Sequence, residues 1–243
     1  MAEKATRFFK ESVILSGVSM VAISMVSASA TAADVAAPAD MGFKPYVSVF
    51  AGASILSDVN TVWQNSTGAT FGTTYSLRTK MGYLLGGAIG VKWNDRLRAE
   101  VELSHSSWSV TDVLVKQKGT SLEKATGSIS ATYLMGNVWL DIPTQSAFTP
   151  YVGGGLGLGW ASADSPFFGG LSWGYGSGEK AGLAYQLGAG VKFTLSDKLD
   201  LDLGYRFKGL TGIDFNNIGD GGGTYDGAVL YSHNIQLGLT YHF

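Results

Sequence analysis

The sequence contains no cysteine and only 5 prolines among its 243 residues. The absence of cysteine excludes disulfide-stapled scaffolds, zinc sites built from thiolates and enzymes that use a thiol nucleophile. Charged residues are also scarce, at 15% of the chain, and the formal net charge is -2. Disordered chains carry more charge and fewer aromatics, and nucleic-acid-binding domains are usually basic. Neither class fits this composition.

Glycine and apolar residues are abundant instead. The chain has 34 glycines, which is roughly twice the average usage. Hydrophobic residues make up 45% of the chain and aromatic residues 12%. A collagen would place glycine at every third position and would need many more prolines. The composition therefore points to a folded, glycine-rich and aromatic-rich structure.

The N-terminal segment has the three-part layout of a secretory signal peptide. Basic residues lie within the first ten positions, an apolar run follows at residues 13–26, and small residues fill positions 27–33. Two cleavage motifs compete, one ending at Ala30 and one at Ala32, and we favour cleavage after Ala32. A transmembrane anchor is the alternative, but about 14 strongly apolar residues are short for a span. We predict a signal peptide at residues 1–32 and a short lead-in at residues 33–44.

From residue 45 onward, apolar and polar residues alternate with a period of two, which is typical of β-strands. Glycine, serine, threonine, asparagine and aspartate separate the alternating stretches. These stretches are residues 45–56, 81–93, 97–109, 128–142, 149–160, 183–195, 199–207 and 229–243. We therefore predict one all-β domain of eight strands at residues 45–243.

The predicted connections alternate in length. Those at residues 94–96, 143–148 and 196–198 are short, whereas those at residues 57–80, 110–127, 161–182 and 208–228 are long. Short turns at one end and long loops at the other are expected of an up-and-down outer-membrane barrel. A soluble β-sandwich, which shows the same alternation, has no reason for this asymmetry. The sequence thus favours an eight-stranded antiparallel up-and-down transmembrane β-barrel.

Alternate glycines occupy one face of the fifth predicted strand. They are Gly153, Gly155, Gly157 and Gly159. Glycine inside a strand often marks a close approach of neighbouring groups. We expect these positions to make room for bulky neighbours such as Tyr133 or Tyr151, or to permit sharp curvature.

The charged residues of the predicted strands fall on the face opposite the large apolar residues. In a lipid-embedded barrel the apolar face points outward and the charged face lines the interior. The predicted interior charges are Lys92, Arg98, Glu100, Glu102, Lys192, Asp200, Asp202 and Arg206. Because an unpaired buried charge is costly, we expect Lys192 to pair with Asp202 across the turn at 196–198. We likewise expect Arg98 to reach carboxylates in its own hairpin.

Several stretches resemble the eight-stranded outer-membrane β-barrel family, which includes the OmpA membrane domain, OmpX and Opa-like porin-family surface proteins. The resemblance rests on residues 150–155, 185–190, 202–207 and 237–243, and it covers most of residues 45–243. It implies a location in the outer membrane, surrounded by outer-membrane lipid and lipopolysaccharide. We also expect a monomer, and the mild net charge predicts no binding to nucleic acid.

The last strand carries the sharpest part of this resemblance. In the family, a terminal Phe preceded by alternating aromatic or aliphatic residues is the signal for the outer-membrane assembly machinery. Leu237, Leu239, Tyr241 and Phe243 match that pattern. An ordinary final strand is the alternative, because alternation alone needs no terminal aromatic residue.

Catalytic and metal-binding patterns are weak. His105, His233 and His242 are the histidines, and none belongs to a dense set of ligands. His105 lies among serines, but this stretch does not closely match the Ser/His pattern of lipid-modifying barrel hydrolases. No phosphate-cradling loop motif occurs. We therefore expect no enzyme activity, no metal and no cofactor.

One predicted long loop is unusually aromatic. Its candidate contact residues are Phe167, Phe168, Trp173 and Tyr175. An exposed aromatic surface could bind an extracellular partner, a porphyrin-like ligand or lipid, whereas a long loop can also pack on itself.

We predict that the protein has a structural or surface-interaction role, which it performs through the long loops. A narrow channel for small solutes is the alternative, and it requires a continuous wet path through the interior. The packing of the interior decides between these two functions.

Overall fold

A computed structural model describes residues 43–65, 70–116, 120–168, 174–175, 178–218 and 223–243. The predicted signal peptide, its cleavage residues Ala30 and Ala32, and the lead-in up to residue 42 lie outside the described residues. Every regular element in the described ranges is a β-strand. No helix in these ranges is long and apolar enough to cross a membrane.

The strands of the described residues form one antiparallel sheet. In chain order they are β1 (Lys44–Leu56), β2 (Val59–Asn65), β3 (Thr70–Thr79), β4 (Gly82–Lys92), β5 (Leu97–Lys116), β6 (Thr120–Asp141), β7 (Phe148–Phe168), β8 (Gly174–Tyr175), β9 (Gly178–Ser196), β10 (Leu199–Ile218) and β11 (Gly223–His242). Eight of these strands build the wall, and β2, β3 and β8 are shorter pieces that extend it.

The wall strands close into a ring. The order is β1, β4, β5, β6, β7, β9, β10 and β11, and β11 pairs back onto β1. Such a ring has no free edge, which a sheet in lipid requires because every backbone group must be paired. The hairpin of β2 and β3 pairs with β11 on one side and β5 on the other. The predicted eight-stranded antiparallel barrel is confirmed.

The pairing register is displaced around the ring. A row of paired residues that starts at Ser107 on β5 returns to the same strand at Leu97, ten residues away. The intermediate partners are Tyr83, Ala53, Ile235, Tyr205, Ala189, Val152 and Leu140. A displaced register requires tilted strands, at about 35–45° to the barrel axis, and eight strands leave an interior just wide enough for side chains.

A belt of exposed apolar side chains surrounds the end of the ring that carries the short turns, which we call the lower end. On β7 the belt runs from Phe148 to Leu158. That stretch corresponds to an apolar band about 25 Å tall, the height found in outer-membrane barrels. Within the belt, inward-facing residues such as Glu102 and Asn137 are polar and buried. The wall is therefore apolar outside and polar inside at this level.

The predicted boundaries of three of the long connections are wrong, because wall strands continue into them. The first connection is bounded by β1 and β4 almost as predicted, and it contains β2 and β3. β5 extends to Lys116 and β10 to Ile218, although the alternation predicted ends at residues 109 and 207. β6 and β11 likewise begin earlier than predicted, at Thr120 and Gly223. The wall thus extends well above the belt.

The physical reason is that the apolar residues change sides above the belt. On β5, Leu103 is exposed on the outer face, but Trp108 and Val113 farther along are buried inside. Register shifts accompany this change on β5, β6 and β10. Gly127 and Gly212 lie at two of these shifts with φ of 138° and 78°, a region that favours glycine. The run of apolar residues on the outer face therefore ends at the top of the belt, although the strand continues above it.

Candidate functional site

The interior of the ring holds two layers of side chains. The lower one, which we call the charged layer, contains Arg98, Glu100, Glu102, Asp141, Lys192, Asp202, Arg206 and Lys208. The upper one, the apolar layer, has Trp108, Tyr133, Met135, Leu210, Ile213 and Leu230 among its largest buried side chains. Both layers follow from strand alternation, because every second residue of each wall strand points inward.

Asp141 is the centre of the lowest ion pairs. Its carboxylate accepts hydrogen bonds from Arg98 Nε at 3.0 Å and from Lys192 Nζ at 2.6 Å. Lys192 and Asp202 are register partners on β9 and β10, but the ammonium group bonds Asp141 on β6 instead. The predicted Lys192–Asp202 pair is therefore wrong. The long side chain of Lys192 thus passes the intervening strand β7 instead of bonding its register partner.

Arg98 also departs from its predicted partner. Its carboxylate is Asp141 on β6, whereas the prediction placed the partner in the hairpin of β4 and β5. The two residues lie on adjacent strands at the lower end, where β5 begins and β6 ends. Asp141 falls on the polar, inner face by its phase in β6 and is buried, but it is not among the predicted interior charges.

Glu102 and Lys208 form the uppermost ion pair of the charged layer. Both side chains are almost completely buried. Glu102 also accepts hydrogen bonds from Gln186 at 2.8 Å, Asn137 at 2.9 Å and Ser104 at 2.8 Å. Sequence reasoning missed Lys208, because it was placed in a long connection. Its position two residues after Arg206, in the same phase of β10, is the signal that identifies it.

Aromatic groups complete the charged layer. Glu100 accepts hydrogen bonds from the Tyr46 hydroxyl at 2.8 Å and from Trp139 Nε1 at 2.7 Å. The Arg206 guanidinium lies over the Trp139 ring, 4.1 Å from its centroid, and donates to the Tyr151 hydroxyl at 2.9 Å. Cation–π contacts of this kind gain strength when they are desolvated.

Asp202 belongs to the same group. Its carboxylate accepts a hydrogen bond from the Tyr151 hydroxyl at 3.0 Å. Tyr151 thus connects Asp202 to Arg206. The aromatic hydroxyl takes the place of a direct contact between the two charged groups.

The remaining predicted charges lie at the lower rim. Lys92 is half-buried and approaches Asp95 to 3.8 Å. Asp200 is buried, and its carboxylate lies 2.9 Å from His242 Nε2. These rim groups contact the short-turn end of the wall rather than the centre of the interior.

A small cavity lies within the charged layer. Its volume is about 30 Å³, and Arg98, Glu100, Glu102, Asp202 and Arg206 contribute to its lining. On this measure, about 10–15 Å³ is enough to hold one water molecule. The cavity therefore accommodates water.

The apolar layer lies directly above the charged layer. Lys208 Nζ is 5.0 Å from the centroid of the Tyr133 ring, so the two layers meet there. Leu210, Ile213 and Leu230 are completely buried. Within the described residues, this layer fills the ring at the level where the outer face becomes polar.

The predicted assembly-signal residues lie on the lowest part of β11 and just beyond it. Leu237, Leu239, Tyr241 and Phe243 are all exposed on the outer face. The rings of Tyr241 and Phe243 pack edge to face, with centroids 5.4 Å apart. Their exposure leaves them accessible to lipid or to another protein.

The predicted aromatic loop is only partly described. The backbone of Phe167 pairs with that of Gly174, so β8 extends the wall beside β7. Phe168 ends β7 and Tyr175 ends β8. Trp173 lies outside the described residues, and so do the side chains of the other three candidate contact residues.

The histidines are spread over the wall. His105 Nδ1 lies 2.9 Å from the Thr132 hydroxyl, and His233 Nδ1 lies 2.7 Å from the Tyr205 hydroxyl. His242 contacts Asp200 at the lower rim. Within the described part of the chain, no three His, Cys, Asp or Glu residues are grouped as a metal site would require.

Comparisons with known proteins agree with this architecture. An uncharacterized protein of Brucella abortus is 26% identical over 214 residues, which cover 70% of each chain. The outer membrane protein PagN of Salmonella typhimurium is 29% identical over 124 residues, covering 47% of this chain and 51% of that protein.

Solved structures share the fold at low sequence identity. The outer membrane protein OprG of Pseudomonas aeruginosa is 18% identical, with a TM-score of 0.55, and the match covers 82% of this chain and 96% of that one. The outer membrane protease OmpT of Escherichia coli is 7% identical, with a TM-score of 0.51 and coverage of 82% and 97%. The family model described as "Outer membrane protein beta-barrel domain" matches residues 18–243. The chain therefore belongs to the outer-membrane β-barrel protein family and is located in the outer membrane.

Proposed function

We propose that this protein is a non-conducting outer-membrane barrel that acts through the surface it presents above the membrane. The observation that supports this proposal is the filling of the interior by the charged layer and the apolar layer. A channel needs a wet path from end to end, and a structural or surface-interaction protein does not. The filled interior therefore favours the surface role over a channel for small solutes.

The charged layer opposes conduction because its charges already form ion pairs or hydrogen bonds within the protein. A passing ion would have to displace the hydrogen bonds of Asp141 or those of Glu102. Breaking a buried ion pair leaves an uncompensated charge, which is costly.

The apolar layer opposes conduction more strongly. Leu210, Ile213 and Leu230 offer no group that could replace the water around an ion. Transfer of an isolated charge into such surroundings is far more costly than transfer of a polar group. An ion that reached Lys208 from below would therefore meet a high barrier.

The upper wall provides the surface for interaction. β5 and β10 continue about ten residues beyond the belt, which raises their upper ends by about 20–25 Å. Much of the strand length of β5 and β10 thus lies above the belt, where it forms a rigid support for the loops at that end. Such a support positions binding loops in many β-proteins.

Electrical recording tests this proposal. The folded, full-length protein is inserted into a planar lipid bilayer and the current is recorded in a potassium chloride solution. We expect no stepwise conductance from the native chain. The band shift between boiled and unboiled samples on a denaturing gel confirms that the protein is folded.

Substitutions identify the origin of any current. Regular steps whose size changes in Glu100→Gln, Glu102→Gln or Arg206→Gln, but not in the rim variant Asp95→Asn, would establish a path through the interior. That result would contradict the proposed surface role and would favour a channel function. Steps that are insensitive to all four substitutions arise from leaks around the protein and leave the native chain non-conducting.

A further inference from the structure

The outer wall of β9, β10 and β11 carries a contiguous group of aromatic and imidazole side chains. We call this group, formed by Tyr185, Tyr205, Phe207, Tyr231 and His233, the aromatic patch. Tyr205, Tyr231 and His233 are exposed, and Tyr185 and Phe207 are half-buried. Apart from Tyr83, the other large exposed aromatic side chains, such as Trp93, Phe148 and Phe243, lie at the lower rim, and the rest of the belt is mostly aliphatic.

The patch is internally organised. The rings of Phe207 and Tyr231 stack with centroids 5.8 Å apart and planes 17° apart. His233 packs against Phe207 at 5.3 Å, and its Nδ1 lies 2.7 Å from the Tyr205 hydroxyl. The neighbouring rings therefore form a platform with hydrogen-bonding groups along its side.

Gly209 extends this platform on the upper side. It is the register partner of both Tyr185 on β9 and Tyr231 on β11. A Cβ atom at this position would lie 2.6 Å from Tyr185 Cε1. The outer end of the Tyr185 ring therefore lies across Gly209, toward Tyr231. A larger residue would force this ring away and break the continuity of the platform.

The patch lies at the upper boundary of the belt. Below it the outer face is aliphatic, with exposed Leu187, Leu203 and Ile235. Above it, β10 continues with Gly209 and Thr211, where the outer face ceases to be strongly apolar. Since long loops of such barrels face the exterior, this boundary meets the headgroups of the outer leaflet.

The chemistry of the patch suits one class of headgroup. Flat aromatic faces pack against the C–H faces of sugar rings, and tyrosine hydroxyls and imidazole nitrogens bond sugar hydroxyls. Among the described residues, no Lys or Arg stacks on these rings. A site for phosphate alone would require such cations. We propose that the aromatic patch binds the sugar headgroup of an outer-leaflet glycolipid.

Lipid retention tests the site. The folded full-length protein in detergent is mixed separately with lipid A, digalactosyldiacylglycerol and phosphatidylglycerol, and the lipid that remains after gel filtration is measured. We expect retention of both sugar lipids to exceed that of phosphatidylglycerol. The double variant Phe207→Ala with Tyr231→Ala should retain about tenfold less of each sugar lipid, the change produced by about 1.4 kcal/mol.

A matched control comes from the opposite side of the ring. Tyr83 and His105 also lie at the upper boundary of the belt, because β5 continues with polar Ser107 and Ser109. Tyr83→Ala with His105→Ala should leave retention unchanged. An equal loss in this control would show a general effect of boundary aromatics and would overturn the site.

A milder variant tests the same site if the Phe207→Ala, Tyr231→Ala protein does not fold. Tyr205→Phe with His233→Ala retains the central stacked rings and removes two hydrogen-bonding groups. We expect about threefold weaker retention of the sugar lipids from this variant. Unchanged retention, or equal native retention of phosphatidylglycerol and the sugar lipids, would contradict recognition of the sugar.

Discussion

Lys92 and Lys208 are both lysines of the inner wall, but their surroundings differ strongly. Lys92 lies at the lower rim, where solvent reaches it, and its distance to Asp95 is 3.8 Å. Lys208 is completely buried and bonds Glu102 and the Ser104 hydroxyl. A charge in the second environment depends entirely on its partner, because no water can replace it.

Replacement of Lys208 should therefore destabilise the barrel. We expect Lys208→Met to lower the free energy of unfolding by about 3 kcal/mol, since the Glu102 carboxylate remains buried without its cation. Denaturant-dependent unfolding from lipid vesicles measures this change. The double variant Lys208→Met with Glu102→Gln should recover much of the loss.

The matched control is Lys92→Met at the rim. An exposed ion pair contributes about 0–1 kcal/mol, so this variant should unfold almost like the native chain. Similar losses at the two positions would mean that the Glu102–Lys208 pair has no special contribution.

At the scale of the element, β7 is a strand whose inner face is kept nearly bare. The ideal Cβ position of Gly153 lies 2.6 Å from Trp139 Cε3, and that of Gly159 lies 3.3 Å from Tyr133 Cδ1. Room for Tyr133 was expected from the sequence. Tyr151, the other expected neighbour, instead lies against Gly190 and Gly204, its partners along the same row on β9 and β10.

A glycine of β7 should therefore be far less replaceable than a glycine on the outer face. Gly153→Val would overpack the interior, and we expect a loss of about 1–3 kcal/mol in the free energy of unfolding. Gly136 on β6 is the control, because a Cβ there would meet only Leu156 O at 3.8 Å. Gly136→Val should be nearly neutral, and vesicle unfolding compares the two. Equal losses would contradict the steric account.

The elements that the sequence predicts well are those in the belt. Lipid outside and paired charges inside impose the same alternation on all eight wall strands, and that alternation is visible without any structure. The upper parts were missed because the apolar side reverses at the register shifts of β5, β6 and β10. Lys208 lies below this reversal, and it was lost from the candidate site because the predicted alternating stretch ends at residue 207, one position before it.

Ion-pair partners could not be predicted for a different reason. Neighbours along a hairpin are set by sequence separation, whereas partners two strands apart, such as Asp141 on β6 and Lys192 on β9, are set by the registers of both intervening strand pairs. Asp141 therefore receives Lys192 from another part of the ring. The positions of the charges on the inner face follow from alternation, but their pairing requires the closed barrel.

At the scale of the whole molecule, the two ends of the barrel face different compartments. The charged side chains of Lys124 and Lys198 lie at opposite ends, Lys124 on the upper part of β6 and Lys198 in the turn between β9 and β10. Long strands and loops are expected at the exterior, and short turns at the periplasm.

The absence of native cysteine makes this orientation directly measurable. A single cysteine in Lys124→Cys should react with a membrane-impermeant maleimide on intact cells, whereas Lys198→Cys should react only after the outer membrane is permeabilised. The labelled fraction is read from the protein band on a gel. Labelling of Lys198→Cys alone on intact cells would reverse the orientation and place the aromatic patch in the inner leaflet.

The reversal of the apolar side has a consequence for the depth of the protein in the bilayer. Moving the barrel upward would bring aliphatic belt residues such as Leu158 and Ile235 into water. Moving it downward would bring exposed polar residues such as Ser109 and Lys124 into hydrocarbon. Both displacements are unfavourable, so the chain resists hydrophobic mismatch by fixing its own vertical position. In a membrane of another thickness, the surrounding lipid would have to stretch or thin to meet the barrel.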